Sequence, residues 1–414
     1  IVEINNSLKV SPKHRLFKVD GLDIVEVEAK DLKIGDYLVI PERIEVEGKE
    51  IPLPKIEQKR FFVLTNKGGE LIKKKAKEKG LTLKNVSREV FGINARQLRR
   101  VLNQRYPVSE EVVRNIEKVL EIKLDGFVKE FSSRKFNKVK IPEVLTPKIS
   151  QVLGYLIGDG CLDKYSVRFR DSRKTVLLHY KNLLEGEFGV EAKIRKLKKS
   201  KCFELRVDNI YLSELLKLLK NDWLKIIPKS KKECVRKFLR GLFDAEGSVD
   251  ERGAITFCVV DRKLLEVVKL LLLRFGIRSK ISKMREFYRL MIIKDAYQFK
   301  KEIGLTAKDK ERKIKEKKSR EIIPIKREIL NRILKEYEFK ERKDLRYVTK
   351  NYLEKIIEKN ESLKSIFSKL LNSDISFEKV TKLRVLKNEE KLIDFSVLPT
   401  ENFIANGYFV HNST

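Results

Sequence analysis

Cysteine, histidine and long apolar runs are all scarce in this 414-residue chain. The four cysteines, Cys161, Cys202, Cys234 and Cys258, form no C-x-x-C pair, so neither a disulfide framework nor a cysteine zinc site has support. Reduced, mostly buried thiols in a cytoplasmic protein are expected. No apolar run is long enough to span a bilayer and no signal peptide is visible, so no membrane partner is expected. Only three histidines occur, His14, His179 and His411, which confines imidazole chemistry to three places. Acid is scarce relative to base: 60 Asp and Glu stand against 93 Lys and Arg, for a net charge of +33. Heat-stable surfaces enrich Lys and Glu together, which accounts for the number of charges but not for the imbalance. A field of that sign points to a polyanion, most simply nucleic acid.

What is present falls into segments. Hydrophobic residues make up 42% of the chain, enough for roughly two to four domains of about 100–200 residues. Residues 1–60 alternate in short runs at 1–4, 8–10, 16–19, 24–27 and 37–40, with turns at Asp20-Gly21 and Gly35-Asp36. This is an all-β pattern. Residues 392–412 are also strand-like, with a turn at Asn406-Gly407. The middle is basic and mostly helical. Four short helices are expected at 70–79, 83–91, 95–102 and 109–120, with Asn94 and Ser109 as N-caps. The run 83–103 resembles a phage-repressor-type helix-turn-helix. That resemblance would present Arg96, Gln97, Arg99 and Arg100 to a major groove; an ordinary basic bundle is the plainer alternative. Helices are also expected at 325–336, 352–360 and 363–371, either as a second DNA-binding bundle or as packing.

Residues 148–310 contain an internal repeat. Shifted by 87 residues, Asp159-Gly160-Cys161-Leu162-Asp163 falls on Glu246-Gly247-Ser248-Val249-Asp250, and Phe188-Gly189-Val190 falls on Phe275-Gly276-Ile277. Each half reads as helix, two strands, helix, two strands, helix. Two such halves in one chain predict a pseudo-two-fold molecule suited to duplex DNA and expected to act as a monomer. Each half opens with a helix that ends in an acid, Asp159 or Glu246. Gly154 and Gly158 in one helix, and Gly241 and Ala245 in the other, are spaced to share a helix face. Crossing the helices through those faces would bring the acids together, where they repel each other and two helix dipoles. A divalent cation relieves that conflict, and oxygen ligands with phosphate partners favour Mg²⁺. Gly160 and Gly247 are expected as left-handed helix stops.

These paired motifs resemble the LAGLIDADG (dodecapeptide) homing endonucleases over residues 148–314. The resemblance implies that Asp159 and Glu246 bind the metal, with Glu246 one methylene longer than the family's common Asp. It also implies a catalytic lysine in Lys225-Ile226-Ile227-Pro228. The equivalent in the second half is taken as Lys310, although the 87-residue shift carries Lys225 onto Arg312. Basic strands alternate apolar with charged residues, as a saddle over DNA needs. They nominate Arg168, Arg170, Arg195, Lys198, Lys280, Lys283 and Arg285 as DNA contacts, with Phe169 and Phe203 as core.

The chain closes on Val410-His411-Asn412-Ser413-Thr414. An Asn side-chain amide can attack its own following peptide bond, forming a succinimide and releasing the downstream segment. The adjacent imidazole can activate that carbonyl, and Ser413 supplies a nucleophile at the released end. Near the start, Ser11-Pro12-Lys13-His14 lies between β segments, and an imidazole there can give and take a proton. Residues 393–412 resemble the C-terminal block of an intein, and Ser11 with His14 resembles the Thr-x-x-His element of the Hint splicing domain. That resemblance implies that His14 assists the acyl shift at the upstream junction and that Asp394 helps coordinate the steps. Glu401 stands where many members carry a second His. An intein begins with Cys or Ser, whereas residue 1 is Ile; the initiating nucleophile is expected to lie outside this chain. His179 is expected to be structural.

The resulting expectation is a multidomain protein. An all-β Hint domain comprises 1–66 and 374–412, with a helix-turn-helix module at 67–125 and a linker at 126–147. The α/β repeats occupy 148–233 and 234–320, then a helical module 321–373, and residues 413–414 are a remnant of the C-terminal extein. The resemblance implies Mg²⁺-dependent cleavage of double-stranded DNA together with splicing of the flanking exteins. The weighed alternative is a non-enzymatic helix-turn-helix regulator, which leaves the repeated acidic helices and the His-Asn end unexplained.

Overall fold

Alternating stretches at opposite ends of the sequence share one set of sheets. The computed structural model describes residues 1–414 except 105, 199, 317–320, 340–346, 372–373, 388–390, 413–414 and the side chain of residue 83. Strands Ile375–Lys379, Tyr37–Pro41, Arg15–Asp20, Tyr408–His411 and Asn402–Ala405 lie in that order, and Asp23–Glu28 forms a hairpin with Arg15–Asp20. A three-stranded sheet places Val2–Ile4 between Leu383–Val385 and Leu8–Val10. The alternation points Val2, Ile4, Leu8, Val10, Leu16, Leu38, Ile40, Tyr408 and Val410 into one core. Asn406 and Gly407 both take positive φ, 50° and 87°, as a tight hairpin turn requires.

The chain divides into one unit of Ile1–Ile51 with Leu224–Thr414 and another of Pro52–Trp223. Strand Phe61–Leu64 pairs with Val108–Ser109 and Val128–Glu130. It therefore sits with the helical module, in the Pro52–Trp223 unit. That module packs helices Asn66–Glu78, Ala95–Leu102 and Glu110–Leu120 around Ile72, Val86, Leu98, Val101, Ile116 and Leu120. Asn94 and Ser109 cap as expected, each accepting a backbone N–H. The expected helix 83–91 is only one α-turn, Leu83–Asn85, running into a π-turn over Val86–Val90.

The two repeats have one topology. In the first, helix Pro147–Asp159 leads into a sheet ordered Cys161–Leu162, Ser166–Asp171, Phe203–Asp208, Ala192–Lys196. In the second, helix Lys232–Glu246 leads into Gly247–Val249, Ile255–Val259, Tyr288–Ile292, Lys280–Lys283. Helices Lys174–Phe188 and Arg262–Leu273 occupy equivalent places between the strand pairs. Helices Arg327–Glu336, Lys350–Ile357 and Leu363–Phe367 form a further core with Val19, Leu22 and Ile24 of the terminal hairpin packed on it.

Arg278 ties three segments of its unit together. Its guanidinium donates to Asp295 at 2.8 and 2.9 Å, to Glu42 and Glu321 at 3.0 Å each, and to Ser376 Oγ at 2.7 Å. Burial pushes this guanidinium's pKa down, and Asp295, Glu42 and Glu321 together hold it above its ordinary value. Burial raises the Glu42 carboxyl, with Glu321 and Asp295 adding to the shift against Arg278. Arg278→Ala leaves three acids without their common cation and should cost about 3 kcal/mol in denaturant unfolding. Because Glu42 already binds protons more readily than usual, part of that loss should return on acidification. An unchanged midpoint at neutral pH would show the hub to be dispensable.

Candidate functional sites

The C-terminal strand delivers His411 and Asn412 to a fixed place. Asn402 pairs with His411 and Val410 with Leu16. His411 Nδ1 lies 2.8 Å from the Asn412 carbonyl oxygen, the carbonyl through which the bond to residue 413 is made. In this geometry a proton on Nδ1 donates to that oxygen. Nε2 of the same ring lies 3.8 Å from Glu401 and 3.9 Å from Glu26. The Asn412 backbone N–H donates to the Glu401 carbonyl at 2.7 Å, and its side-chain Nδ2 donates to the Val397 carbonyl at 3.1 Å. The Asn412 Oδ1 atom is buried without a hydrogen-bond partner among the described residues, a state that ordinarily costs a few kcal/mol. Glu401, notable in the sequence only as a departure from a family pattern, thus positions both residues, through its backbone and its carboxylate.

His14 closes the turn after strand Leu8–Val10: its N–H donates to the Ser11 carbonyl at 3.1 Å, and its carbonyl accepts from Ala29 at 2.9 Å. His14 is 9% exposed. Burial pushes its pKa down, Asp394 pulls it up and His411 pushes it down. His14, Asp394 and His411 therefore share one electrostatic neighbourhood. The net shift keeps His14 neutral further into acid, so its contribution to stability is present above the unfolded pKa and is lost as pH falls through the folded one. Asp394 is exposed and accepts from the Phe395 N–H at 2.9 Å. Ser11 is half-buried, and Ser413 lies outside the described residues. His179 contacts Gln151 at 3.0 Å and packs edge-on against Tyr180, a structural place.

Asp159 and Glu246 are the last residues of their helices, and both are exposed. Asp159 belongs to the Pro52–Trp223 unit and Glu246 to the other. Asp159 is open as a residue, yet its carboxyl is partly desolvated, which pushes its pKa up; Arg170 opposes the shift and Asp171 adds to it. The expected left-handed glycine stops are not formed. Gly160 has φ −89° and Gly247 φ −71°, both extended. Glycine is required there by crowding instead. A Cβ would come within 2.5 Å of Leu156 Cα at Gly160 and within 2.3 Å of the Phe243 carbonyl at Gly247, because each helix turns directly into a strand.

Lys310, on helix Lys308–Arg312, donates its ammonium to the Gly247 carbonyl, next to Glu246. Lys225 is exposed on the last turn of helix Ile210–Ile226. Two residues of the motif surroundings did not stand out in the sequence. Lys220 Nζ reaches the Leu156 carbonyl at 3.3 Å, in the last turn before Asp159. Asp244, fully buried, accepts from Thr306 N at 2.7 Å and Oγ1 at 2.6 Å, pinning the loop that leads to Lys310. An acid two residues before a motif acid was the available signal. Among the described residues no group of three or more His, Cys, Asp or Glu is placed to hold a metal ion. One exposed carboxylate per helix end still suits a hard divalent cation that completes its shell with water and phosphate.

The first sheet carries most of its cations on one face, Lys196 excepted. Val167, Phe169, Leu205 and Val207 point to the core, while Arg168 pairs with Arg206 and Arg206 with Lys193 across adjacent strands. Like charges set directly opposite cost energy, and acids offset it here: Asp163 lies 3.4 Å from Arg168 and Asp208 lies 2.8 Å from Arg206. Lys198 lies in the turn beyond strand Ala192–Lys196. In the second sheet Lys280 and Lys283 are three residues apart and so lie on opposite faces. Lys283 pairs with Tyr288 and lines a cavity with Glu3, Asn6 and Arg262, away from the face of Lys280. Arg285 is exposed in the following turn. In the helical module Arg96, Arg99 and Arg100 are exposed. Gln97 forms a capping box with Asn94: its backbone N–H donates to Asn94 Oδ1 at 2.9 Å and its side-chain oxygen accepts from the Asn94 N–H at 3.2 Å. The cysteines also depart from expectation: only Cys234 is buried, and Cys161 and Cys258 are exposed, because both occupy the polar faces of their sheets. No described helix is long and apolar enough to cross a membrane.

A family model described as the intein splicing domain matches residues 1–412. The chain belongs to that family. It is similar to the glutamine–fructose-6-phosphate aminotransferase of Methanocaldococcus jannaschii, 26% identical over 444 residues, covering 99% of this chain and 40% of that protein. It is likewise 26% identical to elongation factor 2 of Methanopyrus kandleri over 462 residues, covering all of this chain and 36% of that protein. The chain thus spans two-fifths or less of these relatives' length. Among solved structures, I-DmoI in complex with DNA and Mn aligns with 38% of this chain and 96% of its own, at 26% identity and a TM-score of 0.33. Full-length DUF199/WhiA from Thermatoga maritima aligns with 53% of this chain and 68% of its own, at 21% identity and a TM-score of 0.33.

Proposed function

We propose that this intein carries an inserted homing endonuclease of the LAGLIDADG type, and that its C-terminal junction is cleaved by cyclisation of Asn412. The observation that carries the junction chemistry is His411 Nδ1 at 2.8 Å from the Asn412 carbonyl oxygen. Asn412 Nδ2 attacks its own carbonyl carbon, and the Val397 carbonyl accepts one of its hydrogens throughout. His411 donates to the oxygen as negative charge develops there. The carbon–nitrogen bond to Ser413 breaks, a proton passes from Nδ2 to the departing amine, and a succinimide remains. Asp394 holds a charge beside His14 in this neighbourhood, with Ser11 and His14 serving the upstream junction and Ser413 the transfer between exteins. The relatives support an inserted element, because unrelated host proteins match nearly the whole of this chain over a minor part of their own length.

The endonuclease reading rests on the twin topology: one strand order twice, each preceded by a helix ending in an acid. Asp159 and Glu246 would hold divalent cations, Mg²⁺ by preference, which when bound polarise a phosphodiester and lower the pKa of the attacking water. Lys310 and Lys225 would place positive charge beside the reacting phosphates. The first-sheet cations, Lys280, and the module's Arg96, Arg99 and Arg100 would hold duplex DNA. One chain supplies both halves, so a monomer suffices. The reading is tested by fusing a reporter protein after Thr414 and following its release by mass spectrometry. The expected products are a reporter beginning at Ser413 and a chain ending in a succinimide. A fusion that stays intact would refute the junction assignment.

A further inference from the structure

A buried acid lies within the cationic face of the first sheet, where an acid facing DNA should repel it. Glu204 occupies the central strand, its side chain 1% exposed, and its register neighbours on either side are Arg170 and Arg195. Arg170 directs Nε and Nη2 at Glu204 Oε2, both at 3.1 Å. Arg195 directs Nε and Nη2 at Oε1, at 3.1 and 2.7 Å. Each carboxylate oxygen thus takes one fork. Burial pushes the Glu204 carboxyl up, and the two guanidiniums hold it below its ordinary value. Both arginines remain open, 56% and 63% exposed.

A guanidinium has five N–H donors in a rigid plane. Glu204 engages the Nε edge of each, and among the described residues the Nη1–Nη2 edge, aimed away from the carboxylate, is left free. That edge can meet the O6 and N7 acceptors of guanine. Exposed arginines ordinarily lose side-chain entropy on binding; here the acid has already fixed them. The second sheet has no such device. The 87-residue shift puts Met291 in the place of Glu204, with Thr256 and Lys280 as its register neighbours.

We propose that Glu204 is a positioning residue that clamps Arg170 and Arg195 so that their free edges read guanine in the part of the DNA site covered by the first repeat. The inference rests on the endonuclease reading and deepens it. Its test is selection of binding sites from a randomised duplex library by the full chain in a chelator, so that no strand is cut, with Glu204→Gln and Arg195→Gln alongside. The wild type should fix one or two G·C pairs with no counterpart in the other half of the site. Both variants should relax those pairs by about 10-fold or more and leave other positions unchanged. On a duplex of scrambled sequence the variants should diverge. Glu204→Gln removes a negative charge, so it should bind more tightly and with a steeper salt dependence; Arg195→Gln should bind more weakly. That opposition separates positioning from simple loss of fold, which would weaken both. Uniform weakening at every position would mean that the arginines hold phosphate and would overturn the guanine assignment alone. A wild-type chain that selects no sequence would overturn the endonuclease reading as well.

Discussion

Asn412→Ala should abolish release of a reporter fused after Thr414, by at least about 1,000-fold relative to the wild type. The attacking amide and the carbonyl it attacks belong to one residue, so cyclisation gains its rate from proximity, and alanine removes the nucleophile without a substitute. His411→Ala keeps the nucleophile but takes away the donor that lies 2.8 Å from the Asn412 carbonyl oxygen, and should slow release by about 100-fold or more. Glu401→Ala is the informative intermediate. It keeps the backbone carbonyl that fixes Asn412 and loses only the carboxylate 3.8 Å from His411 Nε2, so a smaller effect is expected. The readout is the ratio of released to intact fusion against time. Release from Asn412→Ala at the wild-type rate would exclude Asn412 as the nucleophile.

Residues adjacent in the chain announce themselves in the sequence: His411 beside Asn412, Asn94 three residues from Gln97, an acid ending each repeated helix. Alternation likewise separates Phe169 from Arg168 and Arg170. Residues brought together from a distance give no such signal. Arg278 meets Ser376, Glu42 and Glu321 across separations of 98, 236 and 43 residues, and no local pattern distinguishes it from the chain's other cations. Where a residue type has two physical uses, the sequence suggests the commoner one. Gly160 and Gly247 fit left-handed stops by position, yet they are extended and needed for close approach. Gln97 fits a base contact by spacing, yet a cap is the nearer use. Glu204 is legible in part, since Phe203-Glu-Leu-Arg-Val-Asp208 alternates; that both neighbouring strands offer it an arginine is a matter of register.

Asp159→Asn should eliminate DNA cleavage while leaving the chain at least as stable as before, a combination that a structural role for Asp159 cannot give. Partial desolvation raises the Asp159 pKa, and Asp171 adds to it against Arg170. A carboxyl whose folded pKa lies above its unfolded one contributes its stability below the unfolded pKa and loses it as pH rises through the folded one. At neutral pH the ionised group is therefore a burden on the fold, and the neutral amide removes it. The melting temperature of Asp159→Asn should equal or exceed that of the wild type at neutral pH, and the two should converge in acid. Activity should move the other way, since an amide is a far poorer ligand for a hard divalent cation than a carboxylate. Glu246→Gln should likewise stop cutting, and a chelator should silence the wild type without releasing bound DNA. The assay is conversion of a supercoiled plasmid bearing a selected site to nicked and linear forms. Residual nicking of one strand by Asp159→Asn and of the opposite strand by Glu246→Gln would assign the cleavage of each strand to a different acid. Full linearisation by both variants would remove these carboxylates from the reaction.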